Sequence, residues 1–263
     1  MLLFSCAVLL NRLVIINRLS NTITLFPGLF FLLIVSAFPL FGALTSITLS
    51  LLMLILMLSN LMYTNARSGV ANKIFNVGIY LGLMILLFIP NCWFIALVII
   101  GINTLTTIKQ RVVFNLLNGI LLPIYMAGLI LFFIGSGTDA IMQVYQNQFG
   151  LANLTLPHDL QGWLTLVVHA LWLIVVLIAY NATISKKSIQ SIRKANVMTW
   201  SLLFVVIIFA FSGIMSLHYL MLLSPALAFY TSEAVLRFKK ESNAEMIMIL
   251  LVILCIVMPF LSA

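Results

Sequence analysis

Residues 163–217 read WLTLVVHALWLIVVLIAYNATISKKSIQSIRKANVMTWSLLFVVIIFAFSGIMSL. Two apolar runs, Trp163–Ile184 and Val197–Leu217, flank a connection that holds Lys186, Lys187, Arg193 and Lys194. Neither run contains Lys, Arg, Asp or Glu. Each has about 20 residues, enough for a helix rising 1.5 Å per residue to cross a hydrocarbon core. Backbone amides in lipid have no water to bind, so such a run is a helix, which pairs its N–H and C=O groups internally. Barrel strands would be about ten residues long and would alternate polar with apolar side chains, which these do not.

The same pattern fills the chain. Ten apolar segments follow one another: Leu2–Ile16, Leu25–Phe41, Ala43–Tyr63, Ile74–Ile89, Cys92–Ile108, Val112–Ile134, Trp163–Ile184, Val197–Leu217, Tyr219–Leu236 and Met246–Leu261. Of the 263 residues 64% are apolar and only 7% charged, against roughly 45–50% and 25% in a soluble domain. So few charges cannot cover a water-facing surface. The composition excludes a soluble enzyme, a disordered chain and a disulfide scaffold, and predicts an all-α, polytopic transmembrane helical bundle of about ten membrane helices. Residues 1–263 are read as a single integral membrane domain.

The basic residues test this reading. All 13 Lys and Arg fall in the odd-numbered connections or at their edges. Arg12 and Arg18 mark the first. The others form basic cytoplasmic loops at 64–73, 109–111, 185–196 and 237–245. The even-numbered connections hold none, including the long outer loop 135–162. This alternation is the one the positive-inside rule demands, and it places both termini on the non-cytoplasmic side. The net charge of +8 is therefore read as a topology signal and as attraction to lipid headgroups, with no nucleic-acid partner. The apolar run begins at Leu2, with no polar leader, so an additional upstream helix is expected.

Candidate sites are sparse. Asp139, His158 and Asp159 in the outer loop, with His218 after the eighth segment, are weak catalytic candidates as an acid–base cluster, because carboxylate and imidazole groups suit that chemistry. The same loop also reads as an interfacial helix with a polar face. His169, inside the seventh segment, is an intramembrane ionisable group, either in a proton pathway or packed against a neighbouring helix. Glu233 precedes Arg237 by four residues, the favourable order for a helical ion pair. Asn115 and Asn118 share a helix face and read as interhelical amides or as part of a polar path. Gly78 and Gly82 form a GxxxG helix-packing pattern. Cys6, Cys92 and Cys255 are isolated, and no Walker loop, dinucleotide fingerprint, zinc spacing or haem ligand pair occurs. No cofactor and no metal are expected.

The run Asn17-Arg18-Leu19 through Leu25-Phe26-Pro27-Gly28-Leu29-Phe30, followed by Ser36-Ala37-Phe38-Pro39, resembles a family of uncharacterised polytopic inner-membrane proteins of Bacteroidetes bacteria. The motif match covers about the first quarter of the chain. The resemblance implies a bacterial inner-membrane location and an additional helix before Leu2, and it implies no activity.

Three functions compete. The first is a non-enzymatic component or assembly factor of cell-envelope machinery, with membrane lipids and other membrane proteins as partners. The second is a membrane glycosyltransferase acting on a polyprenyl-phosphate-linked sugar. That chemistry wants Arg or Lys at the departing phosphate, and here the basic residues are expected on the face opposite the outer loop. The third is a secondary transporter, for which His169 and Glu233 would have to serve as coupling groups.

Overall fold

The structure, a computed structural model, describes residues 1–20, 22–38, 45–63, 70–106, 109–134, 160–184, 187–211, 217–238 and 241–260. These form ten α-helices and no strand: α1 (Leu2–Ile16), α2 (Phe26–Ala37), α3 (Ser46–Tyr63), α4 (Val70–Leu87), α5 (Phe94–Leu105), α6 (Gln110–Ile134), α7 (Leu160–Ile184), α8 (Ile189–Phe211), α9 (Ser224–Val235) and α10 (Glu241–Phe260). Two 3₁₀ segments, Ile89–Trp93 and Leu217–Leu223, lead directly into α5 and α9.

Local chemistry sets the boundaries. At the end of α1 the Arg18 N–H donates to the Ile15 carbonyl and the Leu19 N–H to the Val14 carbonyl, while Arg18 adopts a left-handed φ of 52°. This is a Schellman ending with arginine where glycine is the usual residue. α3 opens on a reciprocal cap. The Thr48 N–H donates to Thr45 Oγ1 at 3.4 Å and the Thr45 N–H to Thr48 Oγ1 at 3.4 Å, the capping-box arrangement. Ser188 caps α8, its Oγ accepting from the Ser191 N–H at 3.3 Å. Pro27 and Pro225 stand in the first turns of α2 and α9, where a missing N–H is harmless. Pro225 thus starts a helix instead of breaking the expected segment Tyr219–Leu236. Pro123 lies inside α6.

Among the described residues four helices, α3, α4, α6 and α8, are long and apolar enough to cross a membrane, fewer than the ten crossings expected. Three of the other helices are too short by length. α2, α5 and α9 have 12 residues each, a rise of about 18 Å against a core of about 30 Å. α5 and α9 are preceded by the 3₁₀ segments, which take up part of the apolar sequence. Helix starts also absorb several charges assigned to connections. Lys73 lies in α4, Arg111 in α6, and Arg193 and Lys194 in α8.

The chain divides into two compact units, one of residues 1–48, 156–195 and 217–263, the other of 49–155 and 196–216. In the first, α2 packs on α1, α9 and α10, and α9 packs on α7. Phe30, Phe31 and Ile34 of α2 are fully buried. α9 is buried on all sides from Ser224 to Glu233, the signature of a central helix. In the second unit α4 lies along α6. A Cβ on Gly78 would stand 2.6 Å from the Leu116 carbonyl oxygen, and one on Gly82 would stand 2.6 Å from that of Ile120. Later residues of one helix face later residues of the other, so α4 and α6 run parallel. Lys73 and Arg111, near their N-termini, therefore lie at the same end of that unit.

Candidate functional site

The polar groups of the first unit gather where α1, α7 and α9 end and α8 begins. Lys187, between α7 and α8, carries the densest set of contacts. Its Nζ lies 2.7 Å from Glu233 Oε2, donates to the Leu19 carbonyl, and stands 5.2 Å from the centre of the Phe229 ring. The side chains of Lys187 and Glu233 are 1% and 6% exposed. Burial pushes the Lys187 ammonium below the usual lysine range; the hydrogen bond and charge of Glu233 oppose that shift without cancelling it. Desolvation outweighs attraction here, as it does in many buried ion pairs. The pair fixes where segments meet and contributes little net stability. Glu233 Oε1 is buried with no hydrogen-bond partner among the described residues.

Around this pair the α1 turn is tied to α8. Lys194 Nζ donates to Asn17 Oδ1 at 3.1 Å, Ser191 Oγ donates to the Arg18 carbonyl at 3.0 Å, and Tyr230 Oη donates to the Ala195 carbonyl at 3.0 Å. Asn17, 3% exposed, also donates through Nδ2 to the Leu13 carbonyl at 3.0 Å. One turn earlier, Asn11 Oδ1 accepts from the Gly28 N–H at 2.7 Å. A Cβ on Gly28 would collide with Asn11 Nδ2. This glycine therefore permits the close approach of α2 to α1. The Asn17-Arg18 and Phe26-Pro27-Gly28 residues form the joint between the first two helices.

The model of a family described as "Family of unknown function (DUF6427)" matches residues 1–262. The chain belongs to this family. No curated protein and no solved structure matches it. Membership covers the whole chain and brings no activity with it.

The other candidates of this family member are scattered. Asp139, His158 and Asp159 lie outside the described residues. His218 is half-buried in the 3₁₀ segment before α9, a segment that packs on α7. His169 is 2% exposed in α7, its Nδ1 2.8 Å from the Thr165 carbonyl and its ring 4.5 Å from that of Phe38. Asn115 is half-buried and Asn118 exposed on α6. Between them and the next turn, Leu116 and Gly119 face Gly78, and Pro123 faces Gly82. Among the described residues no three His, Cys, Asp or Glu side chains come together as a metal site would require.

Lys187 as the partner of Glu233 lay beyond sequence reasoning, which looked along the helix to Arg237. Asn17 had a signal, an amide immediately before the basic turn. Asn91 is a further buried amide, outside the candidates named from the sequence. It is fully buried, its Nδ2 donating to the Met84 carbonyl at 2.9 Å and to Ser50 Oγ at 3.4 Å.

Proposed function

We propose that this protein is a multi-pass bacterial inner-membrane protein of about ten membrane helices, acting as a non-enzymatic component or assembly factor of cell-envelope machinery. The observation that carries this reading is the use made of buried charge. The intramembrane candidate Glu233 and its cation Lys187 are spent on joining α1, α8 and α9. A substrate path would need such groups to face a polar cavity. The groove between α5 and α6, about 280 Å³, is lined by aliphatic side chains such as Ile99, Ile102, Val113 and Leu117.

Sidedness is supported separately within each unit. In the first, Arg18, Lys187 and Lys194 belong to one end; in the second, Lys73 and Arg111 do. That is how basic connections assemble when they face a single compartment. Its partners in this reading are membrane lipids and other membrane proteins.

The test is purification of the full chain from its native membrane in mild detergent, with quantitative mass spectrometry of what accompanies it. A membrane partner in fixed stoichiometry is expected, together with an unchanged surface-glycan profile in a deletion strain. A clean single species, or a lost glycan, would contradict the reading.

A further inference from the structure

At the basic end of the first unit lies a recess of about 430 Å³, bounded by the end of α1, the connection to α2 and the start of α8. Its lining divides by chemistry. Arg18 supplies a cation and Ser20 and Thr22 supply hydroxyl donors, the protons of Ser188 and Ser191 being spent on Ser191 Oγ and the Arg18 carbonyl, while Val14, Ile15 and Ile23 supply an apolar wall. Among the described residues that line it, none is acidic. Ile23 is 85% exposed, an apolar side chain beside the polar groups of the recess. The volume falls in the range of about 300–1,000 Å³ usual for small-molecule sites.

Electrostatics points the same way. Lys194 Nζ is bound at Asn17, the residue next to Arg18, so two like charges are held near one another. Lys194 is held by neutral acceptors, the Asn17 carbonyl and Oδ1, so its charge is not cancelled there. The N-terminus of α8 adds its partial positive charge at the same place. An anion with several acceptor oxygens would relieve the repulsion and take up the hydroxyl donors.

We propose that this recess binds a phosphate group at the membrane boundary, with Arg18 as its principal cation and the hydroxyls of Ser20 and Thr22 as neutral donors. Acidic phospholipid and inorganic phosphate both present that chemistry. Ile15 and Ile23 favour the first, since they offer acyl chains a surface next to the headgroup, as in basic pockets between membrane helices. The inference rests on the membrane reading and is independent of whether the protein is an assembly factor.

The experiment uses the full chain in lipid nanodiscs made with either phosphatidylglycerol or phosphatidylcholine, followed by native mass spectrometry of retained lipid. Wild type should retain phosphatidylglycerol and release phosphatidylcholine. Arg18→Gln should lower that retention at least tenfold, whereas Arg111→Gln, which removes the same charge outside the recess, should leave it unchanged. Arg18→Gly serves if Arg18→Gln does not fold, because glycine accepts the left-handed φ of this position. An added arm titrates inorganic phosphate. Arg18-dependent displacement of the lipid by phosphate would support the phosphate site with a soluble source as its occupant. Equal retention by wild type and the Arg18 variants, or equal loss in Arg111→Gln, would overturn the site. Failure of the chain to enter nanodiscs would overturn the membrane reading instead.

Discussion

Lys187 reaches Glu233 at 2.7 Å and the Leu19 carbonyl at once, so one ammonium joins the α7–α8 connection to the end of α9 and to the turn after α1. Removing one partner leaves the other charge buried and uncompensated, at a cost of about 3–5 kcal/mol. Glu233→Gln and Lys187→Met should each lower the thermal unfolding midpoint of the detergent-solubilised protein. The double variant Lys187→Met/Glu233→Leu should lie closer to wild type than either single variant. A double variant as unstable as the two single losses added together would show no coupling between the two charges and would contradict the pairing.

The α4–α6 contact predicts opposite behaviour for two glycines. A methyl group at Gly78 would meet the Leu116 carbonyl at 2.6 Å, and backbone cannot turn aside as a side chain can. Gly78→Ala should cost about 1–3 kcal/mol through overpacking. Gly128, on the same helix as Leu116, has nothing within 4 Å of an added methyl. Gly128→Ala should stabilise by up to about 1 kcal/mol, the helix-propensity difference. Equal effects in an unfolding titration would contradict the packing.

Arg18 holds φ at 52°, which costs an L-residue roughly 1–2 kcal/mol relative to glycine. Glycine gives back about 0.5–1 kcal/mol through the greater freedom of the unfolded chain. Arg18→Gly should therefore leave the fold intact or raise its stability by up to about 1 kcal/mol, measured as the denaturant midpoint. A marked loss would mean that the side chain supports the fold directly.

Asn91→Leu deprives the Met84 carbonyl and Ser50 Oγ of a buried donor. The Met84 carbonyl keeps its bond from the Phe88 N–H, so the variant loses hydrogen bonds worth about 0.5–1.5 kcal/mol each and should unfold before wild type. Ser50→Ala, which removes only the longer of the two contacts, should have the smaller effect. The reverse order in thermal melts would contradict the assignment.

Helix existence was legible because lipid permits so little else. The runs beginning at Leu2, Trp163 and Val112 became α1, α7 and α6 almost residue for residue. Crossing lengths were less legible. Hydropathy registers that a residue is apolar, not whether it continues an α-helix, and so it joined Tyr219–Leu223 to α9 although Ser224 and Pro225 restart the backbone. Charges misled in a similar way. Arg193 and Lys194 look like connection residues, yet α8 starts at Ile189, where the Ser188 hydroxyl caps it. The joint at the basic end depended on contacts between remote segments, Asn17 with Lys194 and Lys187 with Glu233. No periodicity within either segment could reveal those. Gly78 and Gly82 were visible as a motif, but Gly119, which completes their contact, stood alone on the opposing helix.

The central claim is that Lys and Arg mark one aqueous compartment. In a background with Cys6, Cys92 and Cys255 replaced, Arg67→Cys and Gln148→Cys should be labelled from opposite sides of sealed vesicles by a membrane-impermeant maleimide, Arg67→Cys only from the cytoplasmic face. Labelling of both from the same side would contradict the account.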